Sequence, residues 1–433
     1  ERPFLILYNG HEKKSHGGRH MIYEFAFDNF RSYKNKAILD FTAKPINEFD
    51  ATLIHVDNDK LLPVSVIYGP NGGGKSSVLM ALNSLRNIVL SPVIQLAYMK
   101  KKNEQLGEAS IAQLQSSLQD RHAETYYKLD DNGKNRPTNY SILFRVRDSK
   151  YRYELSCHNE VIITENLYLQ KGDEIKPVFE RDEDGVYVCD ELNGVDLENM
   201  NESLPLLSYI SMFKNIEIVD MAMSFFLQIR IMNFDRPDKD RQILVDQIEH
   251  DNTRICNVIQ SMGIDISGIE VEYNDDGTVN DIYTRHILEN GIEKRLTLSE
   301  ESSGTRKIIS ILPVILKGID QNCLFAIDEL DAKLHPLLLR RIIELFTDRR
   351  INKGSAQMLF TSHDLTTMSN EVFRRDEIWF SALNSYDESV LYSLVDFRKD
   401  GGNKPRNDEN YSKQYIEGRY GADPYFRQMN EWR

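Results

Sequence analysis

The sequence predicts an α/β fold with an antiparallel β-subdomain ahead of it, and three observations carry that expectation. Apolar and polar residues alternate from Ile22, as in a half-exposed antiparallel sheet. A short β-branched run at 64–68 enters a glycine loop and then a helical stretch, and from Gly304 onward helix and strand signals alternate. At 433 residues the chain exceeds one compact core, so two subdomains or one domain with a large insertion are expected.

Taken in order, residues 1–20 carry little pattern and no signal-peptide organisation, and Met21 reads as a natural start. Residues 22–41 read as a hairpin about a Lys/Asn turn, and 100–120 as polar and helix-favouring. Two strands about Asp148-Ser149 and a third at 161–169 follow, then an acidic loop at 181–202. Residues 203–232 and 238–262 read as two helical stretches without a sustained heptad, so no long coiled-coil arm is expected. Turn signals at Asp275-Asp276-Gly277 and Asn290-Gly291 place strands before the α/β half. The division expected is 1–20 as an extension, 21–185 with the glycine loop and β-subdomain, 186–265 as a mainly helical insertion, and 266–433 as the second half.

With 53 Lys+Arg against 67 Asp+Glu the formal charge is −14, which disfavours indiscriminate coating of nucleic acid and leaves room for a local basic groove. The four cysteines are scattered without a close pair, which fits a reducing, cytoplasmic setting and argues against a zinc site. No contiguous apolar run approaches the ~20 residues of a membrane span, so no membrane partner is expected.

Four motifs carry chemistry. Gly69-Pro70-Asn71-Gly72-Gly73-Gly74-Lys75-Ser76-Ser77 has the form of a phosphate-binding loop. Its backbone N–H groups curl around phosphate oxygens, Lys75 reaches the β/γ-phosphates, and Ser76 binds Mg²⁺. Cys323 to Glu329 is an apolar strand ending in two acids, Asp328 for the Mg²⁺ shell and Glu329 to polarise the attacking water. Ser302-Ser303-Gly304-Thr305 precedes an apolar helix and by itself reads as a helix N-terminus. Phe360-Thr361-Ser362-His363 ends another apolar strand, and alone His363 reads as structural.

The order of these motifs resembles the ABC-type ATPase head of the SMC and RecF class. That resemblance implies that Ser303 and Gly304 form the signature, Leu330-Asp331 the D-loop, and His363 the switch histidine. The departure from Leu-Ser-Gly-Gly-Gln leaves open whether Ser302 or Ser303 touches phosphate. It implies ATP and Mg²⁺ as cofactors and two heads sandwiching two nucleotides, hence a homodimer or larger even-numbered oligomer. A closer resemblance is to RloA-like bacterial ATPases, with overcoming-lysogenisation and PARIS-type defence relatives. It is carried by Asp28-Asn29-Phe30-Arg31-Ser32-Tyr33, by Glu301-Ser302-Ser303-Gly304-Thr305, by Ile327 to Pro336, and by the segment from Tyr415 to Phe426. This resemblance implies that Asn29 and Arg31 lie near the nucleotide. Glu165 is the candidate for the place of the Q-loop glutamine, although the residue type differs.

The first functional reading is an Mg-dependent ATPase of an anti-phage system, a dimerising sensor or scaffold. The family resemblance further implies that it controls a separately encoded effector, a Toprim-type nuclease. The second is a RecF-like DNA-maintenance ATPase that binds DNA directly, and the third a scaffold that holds ATP with slow turnover. Lys100-Lys101-Lys102, Arg349-Arg350 and Arg374-Arg375 are candidate contacts for nucleic acid or a partner, although charge runs are usually solvated faces. The aromatic residues from Tyr411 to Phe426 read equally as an interaction tail or as packing onto the α/β half.

Overall fold

A computed structural model describes residues 19–102, 125–159, 161–172, 174–197, 200–233, 241–398 and 404–422. In chain order its strands begin with β1 (His20–Asp28), β2 (Ala37–Asp40), β3 (Ile54–Val56), β4 (Asp59–Leu61) and β5 (Val64–Tyr68), followed by helix α1 (Lys75–Lys102). A run of strands comes next: β6 (Thr138–Val146), β7 (Ser149–His158), β8 (Val161–Lys171), β9 (Glu174–Asp182) and β10 (Gly185–Val188). Helices α2 (Leu206–Phe213) and α3 (Glu217–Leu227), strand β11 (Ile229–Asn233) and helix α4 (Arg241–Ser261) lead to β12 (Gly268–Tyr273), β13 (Val279–Ile287) and β14 (Glu293–Thr297). The last part contains α5 (Ser303–Asp320), β15 (Leu324–Asp328), α6 (Pro336–Thr347), β16 (Gln357–Thr361), β17 (Ile378–Leu383), β18 (Ser389–Ser393) and α7 (Tyr411–Ile416).

Two large sheets organise the molecule. One is antiparallel, in the order β10-β9-β8-β7-β6-β1-β2; the other runs β11-β15-β16-β5-β17-β18 and is parallel except for β18. The expected α/β class with its N-terminal antiparallel sheet is therefore what the chain forms. Every residue of β5 is buried, as a strand covered on both faces requires. Its successive residues serve two cores: Val64, Val66 and Tyr68 face α4, α5 and α6, whereas Ile67 joins the layer between the sheets. That inter-sheet layer holds Val78, Ala81, Leu82, Leu85 and Val89 of α1 against Phe25, Phe27, Ile142 and Phe144. The stretch Lys75–Ala97 is long and apolar enough to cross a membrane, but its apolarity is that of a core helix packed on both sides.

Several expectations change here. The helical stretch at 203–232 breaks into α2, α3 and a strand, because Ile229-Arg230-Ile231-Met232-Asn233 pairs in parallel with β15 and extends the main sheet. The region between the subdomains thus contributes to the core sheet as well as supplying helices. The acidic loop instead begins with the β9–β10 hairpin turning at Glu183-Asp184. Residues 1–18, the polar stretch at 103–124, and Tyr425 and Phe426 lie outside the described residues.

Glu165 makes its carboxylate hydrogen bonds away from the glycine loop. It is fully buried in the antiparallel sheet, where its carboxylate accepts from the N–H groups of Leu206 (2.6 Å) and Leu207 (2.9 Å) and from the Tyr153 hydroxyl (2.9 Å). Burial raises its pKa, opposed by those donors, so it caps the start of α2 from a distant strand.

Of the basic pairs, Arg374 and Arg375 are taken up internally, whereas Arg350 is exposed on its own turn. Arg374 is fully buried, donating to both oxygens of Asp376 (2.9 and 2.8 Å) and to the carbonyls of Glu48 and Lys44. Arg375 reaches the Glu48 carboxylate at 2.7 Å and the Pro405 carbonyl. Arg349 donates to Gly354 and Arg350 to Asp348. The aromatic residues settle their alternative likewise: Tyr411, Tyr415 and Tyr420 are buried, with Tyr415 and Tyr420 ring centroids 5.7 and 5.4 Å from that of Phe380.

Beside Arg374 lies Glu377, whose pKa burial pushes up to about 8, with Asp376 and Glu48 adding to the rise and the Arg374 N–H and guanidinium opposing it. A carboxyl raised in the folded state holds a proton that the unfolded chain has released, so its cost to stability grows as pH rises from about 4.5 to about 8 and then levels off. Wild-type unfolding free energy, measured in urea from pH 5 to pH 8, should fall more steeply than that of Glu377→Gln. Parallel pH profiles for the two proteins would rule this out.

Candidate functional site

The site forms where β15, β16 and β5, adjacent and parallel, all end on the same edge of the sheet. In such sheets the carboxyl ends of the strands, with the helix that follows, are where ligands bind. The glycine loop leaves β5 there and α1 begins at Lys75, so the helix's free N–H groups and positive end point into the loop. Gly69 (φ 151°) and Gly74 (φ 100°) hold left-handed conformations. A Cβ on the first would strike the Ser381 carbonyl, and one on the second the hydroxyls of Ser389 and Ser32. Asn71 and Gly72 are exposed at the loop's tip, while Gly73 is buried behind it.

Lys75 is buried with its ammonium on the carbonyls of Gly69 (2.8 Å) and Pro70 (3.0 Å). Burial lowers its pKa, and the nearby Asp328, Glu329 and Asp331 oppose the shift. Next to it, the Ser76 hydroxyl donates to Asp328 Oδ1 at 3.0 Å, and the same oxygen accepts from the Thr361 hydroxyl at 2.6 Å. Thr361 also accepts from the Glu329 N–H at 2.7 Å. Glu329 sits at φ 48° with its side chain exposed, so the chain turns sharply just where the second acid is presented.

The turn after Glu329 is held twice more. The His363 N–H donates to Asp331 Oδ2 at 3.0 Å, and Lys307 of α5 donates to the carbonyls of Leu330 (2.9 Å) and Ala332 (2.5 Å). His363 itself is exposed. Thus the structure brings Lys75, Ser76, Asp328, Glu329 and the His363 backbone together. Thr361, quoted within a motif but given no role, links Asp328 to the Glu329 N–H.

Ser303 and Gly304 stand apart, at the start of α5. The Ser302 side chain is the N-cap, accepting from the Thr305 N–H at 3.1 Å, which leaves Ser303 as the exposed first helical residue. A Cβ on Gly304 would approach the Lys333 carbonyl, so this helix start lies against the turn that follows Glu329.

The Asn29 carboxamide is committed elsewhere, whereas Arg31 directly precedes the residue that reaches the loop. The Asn29 carboxamide is buried and spent on residues 127–137: it donates to the carbonyls of Gly133 (3.0 Å) and Arg136 (2.9 Å) and accepts from the Tyr127 N–H. Arg31 is exposed and its N–H donates to Thr125. The residue of this segment that reaches the loop is Ser32, whose hydroxyl lies 3.5 Å from that of Ser77. Asn233, the last residue of β11, is opposite Asp328 in the parallel register, a position that only the strand pairing discloses.

Magnesium fits these residues. A serine hydroxyl and an aspartate carboxylate, both hard oxygen donors, face each other at the mouth of the phosphate loop, and Asp331 Oδ1 is buried without a hydrogen-bond partner among the described residues. Among the described residues no group of three or more His, Cys, Asp or Glu could hold a metal, so the remaining ligands of a cation here would be water and phosphate.

A phosphate loop, a strand-end acid joined to its serine and a central parallel sheet define a nucleotide-binding α/β protein. Residues 26–255 match a family model described as "AAA domain", and residues 203–369 match one described as "AAA domain, putative AbiEii toxin, Type IV TA system". The first match spans more than half of the 433 residues, and the chain belongs to this AAA-domain family of ATPases. Among solved structures it is similar to the SMC head domain from Thermotoga maritima, at 13% identity over 86% of this chain and 98% of that one, with a TM-score of 0.42. It is also similar to the Smc head domain with an extended coiled coil bound to the C-terminal domain of ScpA, from Pyrococcus furiosus. That match has 12% identity over 86% of this chain and 96% of that one, with a TM-score of 0.42. No curated protein matches the chain.

Thr361→Val keeps the shape of the side chain but removes the link between Asp328 and the Glu329 N–H. It should lower kcat about tenfold or more while ATP affinity changes less than about threefold. Steady-state hydrolysis with equilibrium ATP binding checks this, and a normal kcat would leave Thr361 without a catalytic consequence.

Proposed function

We propose that the protein is an Mg-dependent ATPase with an ABC-type head, working in the cytoplasm as the dimerising sensor or scaffold of an anti-phage defence system. The observation that carries the ATPase chemistry is the convergence of Ser76 and Thr361 on one oxygen of Asp328 beside the buried Lys75. Gly69 to Ser77 would cradle the phosphates through backbone N–H groups, Lys75 would reach the β/γ-phosphates, and Ser76 with Asp328 would hold the magnesium. The metal, when bound, neutralises charge between the β- and γ-phosphates. Glu329, exposed at the strand end, would orient and deprotonate the attacking water, and His363 would stand beside the γ-phosphate.

Ser303 is exposed at the start of α5, which supports a role across a dimer, where the signature of one head meets the phosphate loop of the other. Assembly in even numbers follows from that geometry. The match of residues 203–369 to a family described as "AAA domain, putative AbiEii toxin, Type IV TA system" supports a two-component role. In this reading the second component is a separately encoded effector, a Toprim-type nuclease, held by the ATP-bound assembly. The DNA-maintenance reading is less favoured, because Arg374 and Arg375 are occupied internally and Arg349 and Arg350 bond to their own turn.

Native mass spectrometry of Glu329→Gln with Mg-ATP, co-expressed with the products of neighbouring genes, tests the whole reading. It should show an even-numbered ATP-loaded oligomer carrying a second protein; a monomer, or a dimer that gains only DNA, would refute the defence assembly. Lys75→Ala should lose ATP binding by at least about 100-fold in equilibrium titration, since a charge-assisted phosphate contact is removed. Unaltered affinity would take Lys75 out of the site.

A further inference from the structure

The phosphate loop is seated from behind by hydroxyl groups that come from a hairpin 300 residues away in sequence. Strands β17 and β18 pair antiparallel, and β17 also pairs with β5, the strand that feeds the loop. From β17, the Ser381 hydroxyl donates to the Gly73 carbonyl at 2.7 Å; from β18, the Ser389 hydroxyl lies 3.0 Å from the same carbonyl and 2.7 Å from the Ser32 hydroxyl. Tyr33, completely buried, shares a 2.7 Å hydrogen bond with Ser381, and since Ser381 donates to Gly73, the Tyr33 hydroxyl donates to it. The Ser389 N–H donates to the Ser32 carbonyl at 2.8 Å, which ties the hairpin to the 29–33 segment as well.

We infer that Ser381 and Ser389, with Tyr33 behind them, are positioning residues for the nucleotide: they fix the Gly73 carbonyl on the protein side and so turn the loop's N–H groups toward the phosphates. The reason is the planarity of the peptide unit. A carbonyl held by the Ser381 hydroxyl, with the Ser389 hydroxyl sharing its one proton between that carbonyl and Ser32, cannot rotate without dragging the next N–H, here that of Gly74, with it. Glycine-rich backbone is otherwise the most freely rotating in the chain, and an unheld loop would lose that freedom on binding phosphate. Both serines are buried, Ser381 at 0% and Ser389 at 3% exposure, so their hydroxyls have no bulk water to turn to. The hairpin is packed tightly on the loop, since a Cβ on Gly69 or Gly73 would strike the Ser381 backbone carbonyl and one on Gly74 the Ser389 hydroxyl. None of the three touches phosphate in this scheme; they act through the loop.

This inference rests on the ATP-site reading proposed above, and the experiment separates the two. Equilibrium binding of a fluorescent ATP analogue and steady-state hydrolysis are measured for wild type, Ser381→Ala/Ser389→Ala, Tyr33→Phe and Ser393→Ala. Ser393 is an equally buried serine on β18, but its hydroxyl faces the Arg375 carbonyl, away from the loop, so its variant reports on the hairpin alone. The double variant should raise Kd and KM about tenfold while kcat stays within about twofold, the loss of roughly two net hydrogen bonds. Tyr33→Phe should raise them about two- to threefold, and serves alone if the double variant does not fold; Ser393→Ala should change neither. Wild-type affinity in the double variant, or in Tyr33→Phe when that variant stands alone, overturns the inference. So does a fall in kcat at constant KM, or an equal shift in Ser393→Ala. If wild type holds no nucleotide, the ATP-site reading itself fails, and this inference with it.

Discussion

One carboxylate oxygen, Asp328 Oδ1, joins three parts of the chain that are far apart in sequence. It takes hydrogen bonds from Ser76, which opens α1, and from Thr361, which closes β16. The three residues meet because β15, β16 and β5 lie side by side and parallel, so their carboxyl ends reach one edge. An antiparallel arrangement of the same strands would send β16 and its Thr361 to the opposite edge. The geometry of the site is therefore inherited from sheet topology, and the buried layers on both faces of that sheet are what hold it.

The opposite edge of the sheet does different work. There Arg374, Asp376, Arg375 and Glu48 form a closed set of buried and half-buried charges that fastens the segment at 44–48 to the turn before β17. Such pairs add little net stability, but removing one partner leaves the other desolvated and unpaired, so they specify a single arrangement more than they strengthen it. Charge at one edge thus holds the frame, and polar groups at the other are left for ligands.

Legibility followed the range of the interactions involved. The phosphate loop, the Asp328-Glu329 strand and the Thr361-Ser362-His363 strand could be read because each is a contiguous pattern whose chemistry depends on its neighbours in sequence. Strand β11 was hidden: Ile229 to Met232 follows an apolar helix without a turn signal, and only its pairing with β15 makes it a strand. Glu165 was the candidate for the Q-loop place, yet its partners include the N–H groups of a helix 41 and 42 residues on. Arg374 and Arg375 looked like surface charge because adjacent arginines usually are. Asn29 was expected beside the nucleotide, and its carboxamide is spent on a loop about 100 residues later. Serines at 381 and 389 carry no pattern at all, since a single small polar residue in a strand has meaning only through what lies across from it.

The hairpin behind the phosphate loop also bears on how the protein is made. Lys75 leaves the ribosome 306 residues before Ser381, so at about 5–20 residues per second the glycine loop waits roughly 15–60 seconds for the strands that seat it. For most of that interval β5 lacks both of its neighbours in the sheet, β16 and β17. The nascent chain can form the antiparallel sheet from β1, β2 and β6 to β10 much earlier, because all seven strands lie within its first 188 residues. Competence to hold a nucleotide is then a late event in synthesis, acquired when the carboxyl-terminal half closes over a glycine loop translated long before it.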